Sequence, residues 1–492
     1  MNPHSENLAV RSATNFSVTR HGSAHASGAS GVAAADDGYR GIRITIWIYF
    51  WLLIIEGMLR KWVFPGSSTL LLLVRDPVVA VCYILAVRNG KFPSGPFVLS
   101  ALILGIGSVA VSFITNPLGD MQRMVLVTGF GFHANFFHLP MIFLIRDAFD
   151  VERLRAIGKW ILLIAPLAAV LIFMQYKAPQ DAWVNRGAGK DSLQITVGTY
   201  GIEKIRPAGF FSYNTGNAAY LAWVAAFLVQ ALLVKKGISK QLLIVSAISL
   251  AVAGSLSISR TCVLSIALVL AAGFLCMVLA PKLATRSVLI AFLCTFLYVL
   301  LSRFSVLGEA MGILQARVQE SGGLHEGGVA RFFEGFIDSF RTFGKAGFLG
   351  LGLGMGTNAA GGLVTGERAF LLGENEWGRH FLESGVFLGG AFILWRLVLL
   401  AQLLRVSFTA VKAMNPLPML LFSSCFLLLL SAPLGVPMTL GFVVMGAGMT
   451  LAAARKSEAE STDGILIPEM QPKPLARGRS AYAERLHSGQ QA

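Results

Sequence analysis

Residues 373–385 read GENEWGRHFLESG and bring Glu374, Glu376, Arg379, His380 and Glu383 into one short stretch ahead of a nearly unbroken apolar run. A carboxylate or imidazole at such a boundary, beside apolar walls, has the makings of a general base. Its proton affinity can be tuned to accept a proton from an alcohol. If a helix starts near Glu374–Asn375, then Glu376, His380 and Glu383 follow at i, i+4 and i+7 on one face. Arg379 then pairs with Glu376 or Glu383. The same residues also fit a plain capped helix end, with acids in the first turn and ion pairs at its surface. The sequence leaves both open.

A second set of candidates is cationic. Arg60, Arg75, Arg206, Arg260, Arg303 and Arg331 fall beside apolar runs, on the side where basic residues are not expected. Each has a plain explanation, in snorkelling or in a nearby acid. Together they suit an anionic ligand, because a guanidinium stays charged and its planar fork matches phosphate oxygens. The glycines of GFLGLGLGMGTN, at 350, 352, 354 and 356, could offer backbone N–H groups to an anion. A re-entrant turn explains them equally well.

These residues need elements to hold them. The chain has 492 residues, of which 55% are hydrophobic and only 14% charged, with a mean hydropathy of +0.66. That is too apolar and too poorly charged for a soluble globular protein. Apolar runs of about 17–25 residues, the length of a membrane-crossing helix, recur near 43–59, 68–87, 96–115, 124–145, 157–175, 217–234, 240–257, 261–280, 286–304, 380–404, 417–433 and 435–453. The expected fold is therefore all-α, a polytopic transmembrane bundle of about twelve spans. The net charge of +15 is assigned to helix ends at the cytoplasmic surface, not to nucleic acid. The five cysteines all lie in apolar runs, without metal or disulfide spacing.

Basic loops at Arg88 and Lys91, Arg153 and Arg155, Lys235 and Lys236, and Arg405 and Lys412 place both termini in the cytoplasm. Residues 1–42 read as a disordered cytoplasmic tail and 454–492 as a second, polar cytoplasmic tail. Two long loops, 176–216 and 305–379, then face outward, and any chemistry belongs there. The second contains VARFFEGFIDSFRTF, 329–343, an amphipathic helix whose phenylalanines could lie on lipid.

The motif order SLSISR (255–260), the Arg331 helix, GLGLGMGTN and ENEWGRHFLESG resembles bacterial O-antigen ligases and O-antigen polymerases, as does IRPAGFFSYNTGNAAYLAW (205–223). EGMLRKWVFP (56–65) and VRDPVVAVCY (74–83) look like one branch of that superfamily. The resemblance covers roughly residues 50–453. It implies a GT-C-like glycosyltransferase of the bacterial inner membrane, whose large periplasmic loop carries the amphipathic helix. Its donor would be an undecaprenyl-diphosphate-linked glycan and its acceptor a glycan or lipid hydroxyl, with no metal or other cofactor. By position, Arg206, Arg260 and Arg331 match the diphosphate-binding arginines. Many ligases carry His-Asn where this chain has Glu374-Asn375. Glu374 is therefore the expected base and His380 the second candidate, with Asn375, Glu376, Arg379 and Glu383 in support. A transporter or flippase of a lipid-linked glycan or anionic solute is the rival class, but no internal repeat is evident and the charge gathers at one face.

Overall fold

An apolar run with no water to satisfy its backbone folds as a helix, because every N–H and C=O then finds a partner inside the segment. The computed structural model describes residues 23–115, 118–189, 192–199, 202–234, 238–284, 305–320, 337–339, 341, 347–357 and 375–455. Among these, nine helical segments are long and apolar enough to cross a membrane.

Helix α1 (Ser23–Met58) runs into a π-turn at Leu59–Val63. It is followed by α2 (Asp76–Arg88), α3 (Pro96–Thr115) and α4 (Met121–Phe132). A second π-turn at His133–Phe137 leads to α5 (Pro140–Ala148) and then α6 (Val151–Lys177). Strands β1 (Thr196–Thr199) and β2 (Ile202–Ile205) form an antiparallel hairpin with Thr196 opposite Ile205. Then come α7 (Asn214–Val234), α8 (Lys240–Leu256), α9 (Arg260–Leu279), the single turn α10 (Pro281–Ala284) and α11 (Ser305–Glu320). After α12 (Glu376–Ser384) a third π-turn, Gly385–Gly389, leads into α13 (Gly390–Lys412). Helices α14 (Leu417–Ser431) and α15 (Pro437–Ala454) complete the bundle.

Every expected span inside the described residues lies on a helix, with α8 and α14 shorter than the rest. The segment 286–304 lies outside the described residues, as does most of the amphipathic stretch 329–343. Caps set several helix starts. Asp120, Asp150, Ser239 and Ser259 each accept a backbone N–H from the first turn of α4, α6, α8 and α9. The hairpin was not anticipated, although the β-branched Ile195, Val197, Ile202 and Ile205 flanking Tyr200-Gly201 are its sequence signal.

The core is built on α7 and α15, which are almost wholly buried. Both are apolar around their full circumference, the pattern of a helix enclosed by others. Small residues in α15 admit close neighbours. A Cβ at Gly441 would strike the Arg75 guanidinium, so that glycine makes room for a buried charged side chain.

Candidate functional site

Helix α12 begins at Glu376, because Asn375 takes an extended conformation and its side-chain oxygen accepts from the Trp377 N–H at 3.2 Å. The following residues form one buried network. Glu376 Oε2 accepts from Arg379 Nε at 3.0 Å and Nη2 at 2.8 Å. Glu376 Oε1 accepts from Arg396 Nη1 at 3.0 Å and from the Leu434 N–H at 3.0 Å, and His380 Nε2 lies 3.0 Å from it. Arg379 also donates to Glu383 Oε2 at 2.9 Å and to Asn135 Oδ1 at 3.0 Å. The pairs expected at a helix surface are thus interior. All five charged or titratable side chains, Glu376, Arg379, His380, Glu383 and Arg396, are at least 97% buried.

The glycine-rich loop closes this network. The Gly356 N–H donates to Glu383 Oε1 at 2.8 Å. Leu351 and Gly352 donate to the carbonyls of Leu382 and Glu383 at 2.8 and 2.9 Å, and the Leu353 N–H donates to Ser112 Oγ at 2.7 Å. These N–H groups are therefore spent on the protein itself. Gly354 has a φ of 91°, and a Cβ there would meet the Val127 carbonyl, so the loop packs against α4 only as glycine. The loop wraps over the end of α12.

Arg206 and Arg260 come together. The segment carrying Arg206 is tied down: its N–H donates to the Ile195 carbonyl at 3.1 Å, and Asn214 Nδ2 donates to its carbonyl at 3.1 Å. Its guanidinium reaches the break between α8 and α9, donating from Nη2 to Ser259 Oγ at 2.9 Å. Arg260 is the next residue. Arg317, from α11, donates to the Ile258 carbonyl at 2.7 Å. Ile258 is fully buried and has a φ of 45°, a left-handed backbone that is costly for a β-branched residue. Burial, then the nearby charges of Arg317 and Arg260, lower the Arg206 pKa to about 10, and its buried Nε has no hydrogen-bond partner among the described residues. Three guanidiniums therefore crowd one strained turn.

Arg60, Arg75 and Lys204 pair with acids. Glu56 lies 3.3 Å from Arg60 Nη1 and 3.2 Å from Arg75 Nε, and Lys204 Nζ lies 2.9 Å from Glu309. Arg60 also donates to Ser212 Oγ at 3.1 Å, and Arg75 to the Pro437 carbonyl at 2.5 Å. Since Leu434 meets Glu376 and Pro437 meets Arg75, the turn between α14 and α15 joins the α12 network to the α1–α2 cluster.

The structure thus unites Arg206 with Arg260, and gathers Asn375, Glu376, Arg379, His380 and Glu383 on α12. Arg331 and Glu374 lie outside the described residues. Sequence reasoning missed Arg317, Arg396 and Asn135. Arg396 carried a signal, since a lone arginine within an apolar run needs a buried partner. Arg317 carried none, because its neighbours are distant in sequence. The sequence matches no family model and no curated protein, so the functional reading rests on the residues themselves.

Proposed function

We propose that this chain is an integral-membrane glycosyltransferase of surface-polysaccharide biosynthesis, a GT-C-like bundle of about twelve spans with both termini cytoplasmic. It moves a glycan from an undecaprenyl-diphosphate carrier to an acceptor hydroxyl at the periplasmic face of a bacterial inner membrane. The observation that carries the proposal is the meeting of Arg206, Arg260 and Arg317 around the strained Ile258. Guanidiniums gathered at one turn present the planar forks that match the oxygens of a diphosphate.

In the transfer, the acceptor oxygen bonds to the anomeric carbon. The bond from that carbon to the diphosphate oxygen breaks, and the lipid diphosphate leaves with the electron pair. The guanidiniums offset the charge that grows on the leaving diphosphate. The acceptor proton passes to a base. His380 Nε2 is engaged by Glu376, so the role goes to Glu374, which directly precedes the cap Asn375 in the sequence.

The test is deletion of the gene, complementation with wild type, Arg206→Ala or Arg260→Ala, and electrophoresis of the surface polysaccharide. Both variants are expected to insert normally and give no mature glycan; wild-type glycan from both removes the diphosphate role. In the deletion strain, bare lipid A-core with full-length carrier-linked chains identifies a ligase, and single repeat units identify a polymerase. Unchanged glycan with lost solute uptake identifies a transporter and overturns the proposal.

A further inference from the structure

Two histidines in the middle of an apolar segment are unexplained by the transfer chemistry. His133 and His138 stand five residues apart. In a regular α-helix that spacing is about 1.4 turns and would point them to different sides. Here residues 133–137 form a π-turn, whose wider i to i+5 hydrogen bonding rotates each residue less than an α-helix does, and both rings reach Asp76 at the start of α2. His138 Nε2 lies 3.0 Å from Asp76 Oδ1, and His133 Nδ1 lies 2.7 Å from Asp76 Oδ2. One donor atom from each residue can be chosen so that all three lie within 4.8 Å of one another.

Hydrogen bonding accounts for only part of this arrangement: it joins His138 Nε2 to Asp76 Oδ1 at 3.0 Å but does not hold His133. The His133 side chain is 9% exposed, and neither ring nitrogen has a hydrogen-bond partner among the described residues; the short approach to Asp76 is not aligned as one. A buried imidazole without a partner is costly. With metal–ligand distances of about 2.0–2.2 Å, two donors of a tetrahedral ion stand roughly 3.3–3.6 Å apart, so the His–Asp pairs at 2.7 and 3.0 Å need to open only slightly to admit one. His138 also has the outer contact that orients a ligating imidazole: its Nδ1 lies 3.0 Å from the Tyr49 hydroxyl. That hydroxyl accepts from Arg75 Nη1 at 3.3 Å, and the Arg75 charge is matched by Glu56 at 3.2 Å. The Asp76 side chain is 23% exposed, so the cluster is not sealed on every side.

We propose that Asp76, His133 and His138 form a binding site for a divalent ion of the zinc class, clasping α2 to the π-turn. Two imidazoles and a carboxylate suit zinc and its neighbours better than magnesium or calcium, which prefer all-oxygen shells. Three protein ligands leave a fourth position open. The site uses none of the residues assigned to the diphosphate, so either proposal can fail alone.

The full chain, purified in detergent without a histidine tag and stripped with a chelator, is titrated with Zn2+ against a chromogenic chelator. Stoichiometric binding is expected, weakened at least tenfold in Asp76→Asn and His133→Gln. In Tyr49→Phe the weakening is about 10–100-fold, the usual loss on removing an outer-shell contact. The sequence also carries His4, His21 and His25, so affinity unchanged in both Asp76→Asn and His133→Gln would place the ion elsewhere and overturn the site. If those variants do not fold, Co2+ added to the unaltered chain decides. Intense visible d–d bands of a four- or five-coordinate nitrogen–oxygen site support the proposal, and the weak spectrum of hydrated Co2+ refutes it.

Discussion

Arg396 and Glu376, twenty positions apart on α13 and α12, meet at 3.0 Å with both side chains buried. Glu376 also holds Arg379 and His380 and caps the N–H of Leu434. With Glu383 opposite Arg379, two carboxylates face two guanidiniums and the network balances with His380 neutral. Glu376→Gln leaves one buried positive charge without a counterion, a change expected to cost about 3–5 kcal/mol. Adding Arg396→Leu restores the balance and should recover part of that loss. Unfolding of both variants in mixed micelles checks this; a double variant no more stable than the single would show that charge balance is not what holds α12.

The arginine cluster makes a separate prediction. An Arg317→Ala chain loses one charged contact to a bound diphosphate, worth about 1.5–3 kcal/mol, so pyrophosphate binding should weaken roughly 10–100-fold. Arg317→Lys should recover little, because lysine keeps the charge but loses the fork. Isothermal titration of the detergent-solubilised chain measures both. Equal affinity in the wild-type and Ala chains would remove Arg317 from the site.

The sign of the pH dependence follows from Arg206. Burial and the neighbouring Arg317 and Arg260 lower its pKa to about 10, below the usual arginine range, so it stays charged at neutral pH. Above about 10 it loses its proton, and pyrophosphate binding should fall. The empty fold changes oppositely in that window. The unfolded chain then holds the proton that the folded chain has released, so this group adds stability as pH rises. Binding and unfolding followed over the same pH series check both directions.

Assignment of the base is tested by two substitutions. Glu374→Gln should abolish transfer while insertion remains normal. His380→Gln keeps a donor for Glu376 and should retain most activity. In vitro transfer from a lipid-diphosphate donor measures both, and an active Glu374→Gln beside an inactive His380→Gln reverses the assignment.

Packing is tested at two helical glycines. Gly441→Ala puts a methyl against Arg75, which is held by Pro437, Tyr49 and Glu56, so overpacking of about 1–3 kcal/mol is expected. Gly129→Ala on α4 meets nothing within 4 Å and should gain about 0.5–1 kcal/mol from reduced backbone freedom in the unfolded chain. Thermal unfolding of the two variants should therefore move in opposite directions.

Much of this protein was determined locally and could be read from its sequence. Membrane-length apolar runs become helices because a backbone away from water must satisfy itself within the segment. Asn375 starts α12 because a short side-chain acceptor there caps the first free N–H groups. The i, i+3 and i+4 spacing of Glu376, Arg379, His380 and Glu383 dictated which of them would touch. Tertiary structure decided whether those pairs face water or the interior. It buried them by bringing Arg396, Asn135 and the Gly350–Thr357 turn around α12. It also decided that Arg317 joins Arg206 at Ile258, and that a π-turn points His133 and His138 at Asp76. Such meetings depend on how distant helices pack, and side-chain spacing along one segment carries no record of its neighbours across the bundle.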